Sequence, residues 1–273
     1  MRRVAYLGPE GTNSHDAALD RYRGDAVLVP VNDIPTVVAS VTAGCVDEAL
    51  VPIENSTEGS VTVTLDILIA GDAPRIVGEI VLPIRHQLVA RPGTALTDVE
   101  RVVSLGQPAA QCRTWLRENL PGAQVFPALS TAAAVASCAH SDRIAAIGTE
   151  AAARLYGMEV IAADIQDSKD NATRFVVLAR ERPGPTGRDR TSLVFAFEAD
   201  RPGSLLSALH PFAVRGINLT KIESRPTKAA LGAYWFLIDC EGHEDDEAVA
   251  AAMDEVRAIT SGMRVLGSYP RAD

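Results

Sequence analysis

The chain has 273 residues, 47% of them hydrophobic and 22% charged, with a net charge of -9. At roughly 150 residues per domain this is material for about two globular domains, and the acidity argues against a nucleic-acid partner, which wants a basic face. The apolar run after Arg2-Arg3 stops at Gly8, short of a secretory leader, and no stretch reaches the roughly 18 apolar residues of a membrane span.

In chain order, strand-like runs alternate with polar loops and helical stretches. "RVAYL" leads through "GPEGTNS" to "HDAALDRY", a helix that Asn13 or Ser14 can cap by accepting an orphan N–H of the first turn. "DEALVPI" leads to "ENSTEGS". The following "VTVTLDILIA" is open between a strand, favoured by its β-branched residues, and a helix, favoured by the polar loop before it. "VERVVSL", "AQVFPAL" and "RIAAIG" are each followed by a polar turn and a helix, the last one stopped by Gly157. "EVIAA", the loop "DIQDSKDNA" and "TRFVVLA" close the series. This repetition predicts a doubly wound α/β architecture with a mostly parallel sheet.

"ARERPGPTGRDR", residues 179–190, is rich in proline, glycine and charge and reads as a linker. Beyond it the rhythm changes to strand "TSLVFAFEA", helix "SLLSALHPFAVRG", strands "INLTKIESRP" and "LGAYWFLIDC", helix "DDEAVAAAMDEVRAIT" and strand "MRVLGSYP". That order, βαββαβ, is the ferredoxin-like split unit. Pro211 is expected to shorten or bend the first helix at His210, because it removes a backbone donor.

In open α/β sheets, ligands bind beyond the carboxyl ends of the strands, so the loops there are the candidates for chemistry. "PIENSTEGSV" gathers Glu54, Asn55, Ser56, Thr57 and Ser60 after one strand, and a helix starting near Ser60 would add an anion-binding N-terminus. The same residues would equally make an N-cap and a turn. "GPEGTNS" has a similar form and matches neither dinucleotide nor P-loop spacing. "SLGQPAAQC" offers Ser104, Gln107 and Gln111, either as ligand donors or as a solvated first turn.

"NATRF" presents a hydroxyl, a guanidinium and an aromatic in succession. In a strand, Thr173 and Phe175 share one face and Arg174 takes the other, so the three converge only if the strand has not yet begun. Arg174 suits a carboxylate, or the surface start of a strand. The five histidines are scattered, and His86 in the alternating "LPIRHQLVA" reads as structural. Cys45, Cys112, Cys138 and Cys240 form no C-x-x-C, and no histidine spacing suits a metal, so reduced thiols are expected, with Cys112 the candidate for reactivity. No nucleophile elbow or triad pattern is visible.

Together, "YLGPEGTNSHDAA", "VPIENSTEGSV", "SLGQPAAQC", "STAAAV", "AAIGTEAAARLYG" and "DNATRFVVL" resemble the monofunctional bacterial prephenate dehydratases, and "GSLLSALHPFAVRGINLTKIESRP" resembles an ACT regulatory domain. The resemblance covers nearly the whole chain in the family's order. No chorismate-mutase-like segment stands ahead of the first motif, so a monofunctional enzyme is expected. The family usually has an aromatic where Asn13 stands and a His-Pro pair where Leu105-Gly106 stand.

The resemblance implies a type II periplasmic-binding-protein-like catalytic domain over residues 1–180. Its lobes would be residues 1–80 with 160–180, and 81–159, followed by a linker at 181–190 and an ACT domain at 191–273. It implies decarboxylating dehydration of prephenate to phenylpyruvate without metal or organic cofactor. Thr173, Arg174, Phe175, Glu54 and Asn55 would be catalytic, and Ser56, Thr57, Glu79, Ser104 and Gln111 would bind substrate. L-Phenylalanine would act as effector at Gly203, Ser204, Leu205, Leu206, Asn218, Leu219, Thr220, Glu223, Ser224, Arg225 and Pro226, between paired ACT domains of a cytoplasmic dimer or tetramer. An arogenate dehydratase and a catalytically inactive amino-acid sensor are the alternatives.

Overall fold

Three sheets organise the chain in the computed structural model, which describes residues 1–199, 201–227 and 232–272. The first is built from β1 (Arg2–Leu7), β2 (Ala26–Val31), β3 (Glu48–Asn55), β4 (Gly59–Ser60) and β5 (Arg75–Pro83), with helices α1 (Asn13–Tyr22), α2 (Ile34–Thr42) and α3 (Thr62–Ala70) between them. The second contains β6 (Gln87–Ala90), β7 (Arg101–Ser104), β8 (Gln124–Pro127), β9 (Ile144–Gly148) and β10 (Glu159–Ala162). Its helices are α4 (Gly106–Gln111), α5 (Arg113–Asn119), α6 (Thr131–Ser137) and α7 (Glu150–Leu155). The chain then returns to the first sheet as β11 (Ala172–Ala179).

The strand order of the first sheet is β2-β1-β3-β11-β5, with β4 paired to the end of β3. β1, β2, β3 and β5 run in the same direction, and β11 lies between β3 and β5, antiparallel to both neighbours. The expectation of a mostly parallel sheet holds for those four strands and fails at β11 for a simple reason. The chain re-enters from the other lobe without a crossover helix, and a direct return gives an antiparallel pair. The second sheet, ordered β10-β6-β9-β7-β8, is also mixed. β5 extends to Pro83, and β10 pairs with β6, so the crossings between lobes lie a few residues later than the sequence suggests. The two-lobed arrangement itself is present.

β12 (Asp189–Ala196), α8 (Ser204–Ala213), β13 (Leu219–Pro226), β14 (Tyr234–Glu241), α9 (Glu247–Ile259) and β15 (Gly262–Pro270) form the expected βαββαβ unit, with antiparallel strand order β13-β14-β12-β15. This sheet packs on the first lobe: Val194, Leu237, Leu266 and Tyr269 share one core with Ile76, Val176 and Leu178. The approach is close enough that a Cβ on Gly267 would sit 2.1 Å from the Ile76 carbonyl oxygen. Among the described residues, no helix is long and apolar enough to cross a membrane.

Local choices follow side-chain physics. Thr12, not Asn13 or Ser14, caps α1 by accepting from the His15 N–H. The ambiguous stretch is helical because Leu65, Leu68 and Ile69 fall on one buried face, and that burial outweighs β-branching. α8 runs through Pro211 to Ala213 instead of ending at His210; the cost of the missing donor is offset by burying Pro211 and Phe212.

The lobes meet where the Thr149 hydroxyl donates to the Gly11 carbonyl at 3.1 Å. Asp16 also faces Thr149, and burial pushes its carboxyl from 3.8 up to about 6, against a hydrogen bond from Thr149 that lowers it. A raised folded value means that this group's contribution to stability is full below its unfolded pKa and is lost as pH rises through about 6. An Asp16→Asn variant should therefore flatten the dependence of melting temperature on pH between about 4 and 6, and an unchanged profile would contradict the assignment.

Candidate active site

A cleft of about 480 Å³ lies between the lobes, within the size range of small-molecule sites. Its floor is formed by the ends of β3 and β11, and its walls by the beginnings of α1, α3, α4 and α6. Of the candidates marked by sequence, Asn55, Ser60, Gln107, Gln111, Thr173 and Phe175 line it. Thr173 and Phe175 do so from one face of β11, as strand alternation requires, with a register shift against β3 between Arg174 and Phe175.

Thr173 is held by a chain of side-chain hydrogen bonds. Asn55 Oδ1 accepts the backbone N–H groups of Thr57 and Glu58 at 2.9 and 3.0 Å, which fixes the orientation of its amide. Asn55 Nδ2 is thereby turned to donate to Thr173 Oγ1 at 2.9 Å and to Asn171 Oδ1 at 2.8 Å. Asn171 Nδ2 donates to Gln111 Oε1 at 3.0 Å, and His86 Nε2 reaches the same oxygen at 2.7 Å. Since that oxygen only accepts, His86 Nε2 carries the proton. Burial lowers the His86 pKa below its usual value, against the Gln111 hydrogen bond that raises it, so the ring is neutral at pH 7. Gln111 Nε2 has no partner among the described residues, and neither does the hydroxyl proton of Thr173. Two donors thus remain for a ligand.

The lining carries almost no formal charge: Glu58 and His86 are its ionisable side chains. Positive potential comes instead from helix ends. Asn13 and Ser14 begin α1 and Thr131 opens α6, while α3 begins beside Ser60 and Val61 with no side-chain cap, leaving its first N–H groups uncapped.

The remaining marked residues lie elsewhere. Arg174, 5% exposed, turns its back on the cleft and meets three carboxylates: Glu54 at 2.7 Å, Glu79 at 3.2 Å and Asp239 of β14 at 2.8 Å. Burial would raise the Glu54 carboxyl, but Arg174 and then Lys221 hold it below the usual carboxylate range. Glu79 is buried between Arg174 and Arg190 and accepts from the Ala272 N–H, so it faces the third sheet. Expecting Arg174, Glu54 and Glu79 at the substrate is therefore corrected by alternation: the faces of β3, β5 and β11 that carry them point to the domain interface.

Ser104 is buried and donates to the adjacent Leu105 carbonyl. Ser56 exchanges hydrogen bonds with Asp170 and Ala172, and Thr57 reaches Asn171, so both tie the two loops together from outside the cleft. The Cys112 thiol is buried and pushed up to about 12, first by burial and then by Asp167, which removes it as a nucleophile. His86, read from sequence as structural, and Asn171 belong to the hydrogen-bond chain at the cleft, and sequence reasoning gave neither a site role. Asn171 stands in the quoted "NATRF" itself; His86 is hidden because the strand breaks after Pro83, one turn before it.

In the third sheet, Ser204 borders a hollow with Phe197 and Glu198, and Ser224 borders a second with the same two residues. Gly203 opens α8 at φ 86°, Leu206 is exposed, and Leu205 and Leu219 pack into the core. Asn218 and Pro226 flank the exposed face, and Thr220 Oγ1 reaches the Asp239 carbonyl at 3.4 Å. Glu223 and Arg225 face the first lobe, at Ser60 and Asp66.

A family model for prephenate dehydratase matches residues 4–183. The chain belongs to the prephenate dehydratase family. An ACT-domain model matches residues 193–258. The dehydratase of Mycobacterium sp. (strain JLS) is 42% identical over 99% of this chain and 89% of its own length. A bifunctional chorismate mutase/prephenate dehydratase of Aquifex aeolicus is 43% identical over 99% of this chain and 74% of its length. A prephenate dehydratase from Arthrobacter aurescens, solved in complex with L-Phe, superposes with a TM-score of 0.90 at 43% identity, covering 98% of this chain and 90% of that one. The activity is that of a prephenate dehydratase, a hydro-lyase.

Proposed function

We propose that the cleft converts prephenate to phenylpyruvate with Thr173 as the donor to the departing hydroxyl. The observation that carries this is the hydrogen-bond polarity at Thr173: Asn55 supplies a donor to its oxygen, leaving its own proton for the ligand. In the reaction the electron pair of the bond to the ring carboxylate enters the ring as carbon dioxide leaves. The carbon–oxygen bond on the far side of the ring breaks with its own pair. The oxygen departs hydrogen-bonded to Thr173 and is released as water, its second proton coming from solvent. Aromatisation drives the step, so the protein has to align, neutralise and donate. Phe175 walls the ring, Gln111 Nε2 offers a neutral donor, and the starts of α1 and α3 take the two carboxylates without a cation in the cleft.

Asn55→Asp is the sharpest test. The substitution keeps the shape but replaces the donor with an acceptor, so the Thr173 proton turns to the new carboxylate and away from the substrate. Turnover should fall by about 10²-fold, with some loss of stability because the new oxygen also faces Asn171 Oδ1 and the Ala172 carbonyl; wild-type turnover would refute the polarity. Running the assay on prephenate and arogenate side by side shows which substrate the cleft prefers.

We further infer regulation by L-phenylalanine at the hollows around Phe197, in a homo-oligomer joined through the ACT domains. The relative solved with L-Phe supports the ligand. β13 supports the assembly as an edge strand whose outward Thr220, Ile222 and Ser224 are exposed. The four free cysteines fit a cytoplasmic setting.

A further inference from the structure

β13 sends its side chains alternately to two different places. Lys221, Glu223 and Arg225 face the first lobe, while Thr220, Ile222 and Ser224 are exposed on the other side. On the inner face, Lys221 Nζ lies 2.5 Å from Glu54 Oε2 and donates to Ser60 Oγ at 2.9 Å. Ser60 Oγ in turn donates to Glu223 Oε2 at 2.5 Å.

Ser60 lines the cleft. Side chains of the ACT domain are therefore one hydrogen bond from a substrate-facing residue. Glu54 adds a second path. Its other oxygen pairs with Arg174 at 2.7 Å, and the chain neighbours of that pair, Asn55 and Thr173, are the two partners in the proton-orienting hydrogen bond. These groups are sheltered, with the Lys221 side chain 14% exposed, so solvent and salt screen them less than a surface pair.

On the outer face, Ser224 borders one hollow and shares Phe197 and Glu198 with the hollow at Ser204. An effector seated there touches no cleft residue. It can alter turnover only through an element that contacts both places and changes position with occupancy. β13 makes both contacts.

We propose that Lys221 and Glu223 are positioning residues for the cleft loop, and that β13 is the element through which an effector on its outer face changes turnover. Glu223 then belongs to the transmitting side of the strand and Ser224 to the receiving side. The transmitting role rests on the reading that phenylalanine regulates this enzyme; the positioning role does not.

The test uses the full-length protein with Lys221→Met and Glu223→Gln, and Lys221→Arg as the conservative control. Lys221→Met and Glu223→Gln should each lower kcat about tenfold or more, with melting temperatures close to wild type, and Lys221→Arg should restore most of the loss. Calorimetry should find phenylalanine bound within about twofold of the wild-type Kd while its effect on turnover disappears. A variant that keeps the full phenylalanine response overturns the transmitting role, and a variant that loses phenylalanine binding places Lys221 and Glu223 in the effector site instead. If wild-type turnover ignores phenylalanine, the regulatory reading falls and kcat alone decides: a drop in Lys221→Met upholds the positioning role, and wild-type kcat overturns it.

Discussion

A Thr173→Val variant is expected to lose about 10²–10⁴-fold in kcat for phenylpyruvate formation while remaining folded. Valine matches threonine in shape and suits a strand start, so the backbone pairing of β11 with β3 and β5 should survive. What disappears is the one hydroxyl in the cleft floor that Asn55 orients by donating to it at 2.9 Å. The Asn55 amide keeps Asn171 as a partner, so the structural cost is on the order of 1 kcal/mol. The loss should fall on kcat and leave KM nearly unchanged, because the interaction strengthens only as the oxygen departs. Thr173→Ser, which keeps the hydroxyl, should retain most of the turnover. A valine variant with near-normal kcat would remove Thr173 from the chemistry.

Arg174→Met is expected to act in the opposite way, on stability. The guanidinium is nearly enclosed and contacts Glu54, Glu79 and Asp239 within 3.2 Å. Removing it leaves carboxylates gathered at the domain interface without their shared cation, a loss of about 3–5 kcal/mol, measurable as a lower urea midpoint. The pH dependence has a defined sign. Glu54 is depressed in the folded state despite its burial, because Arg174 and Lys221 pair with it. Its contribution is therefore present above the ordinary carboxylate pKa and is lost as pH falls through the depressed value. The gap between wild type and variant should narrow in acid. Were Arg174 a substrate ligand, the variant would show a raised KM for prephenate with unchanged stability. That pattern would contradict the placement.

The contrast between these two neighbours shows what sequence makes legible. Strand alternation alone separated Thr173 and Phe175 from Arg174, and the structure keeps that separation. It could not say what the far face meets, since that depends on Asp239, 65 residues later in another sheet. For the same reason Glu54 and Glu79, strand-end carboxylates beside polar loops, looked like site residues and belong to the interface. The βαββαβ unit was visible from local pattern, whereas the stretch after Ser60 stayed open between strand and helix because only tertiary burial of Leu65, Leu68 and Ile69 decides it. The direction of β11 was not visible, because it is set by the chain's excursion through the second lobe. His86 was missed because its role is defined by Gln111, 25 residues away, and no local spacing records that contact.

The central claim is that this cleft dehydrates prephenate and that its ACT domain controls the rate. The most direct measurement is the rate of phenylpyruvate formation from prephenate by the purified wild-type chain, with and without saturating L-phenylalanine. The account predicts steady phenylpyruvate release that phenylalanine changes at constant substrate. Prephenate left unconverted, in protein shown to be folded, would contradict it.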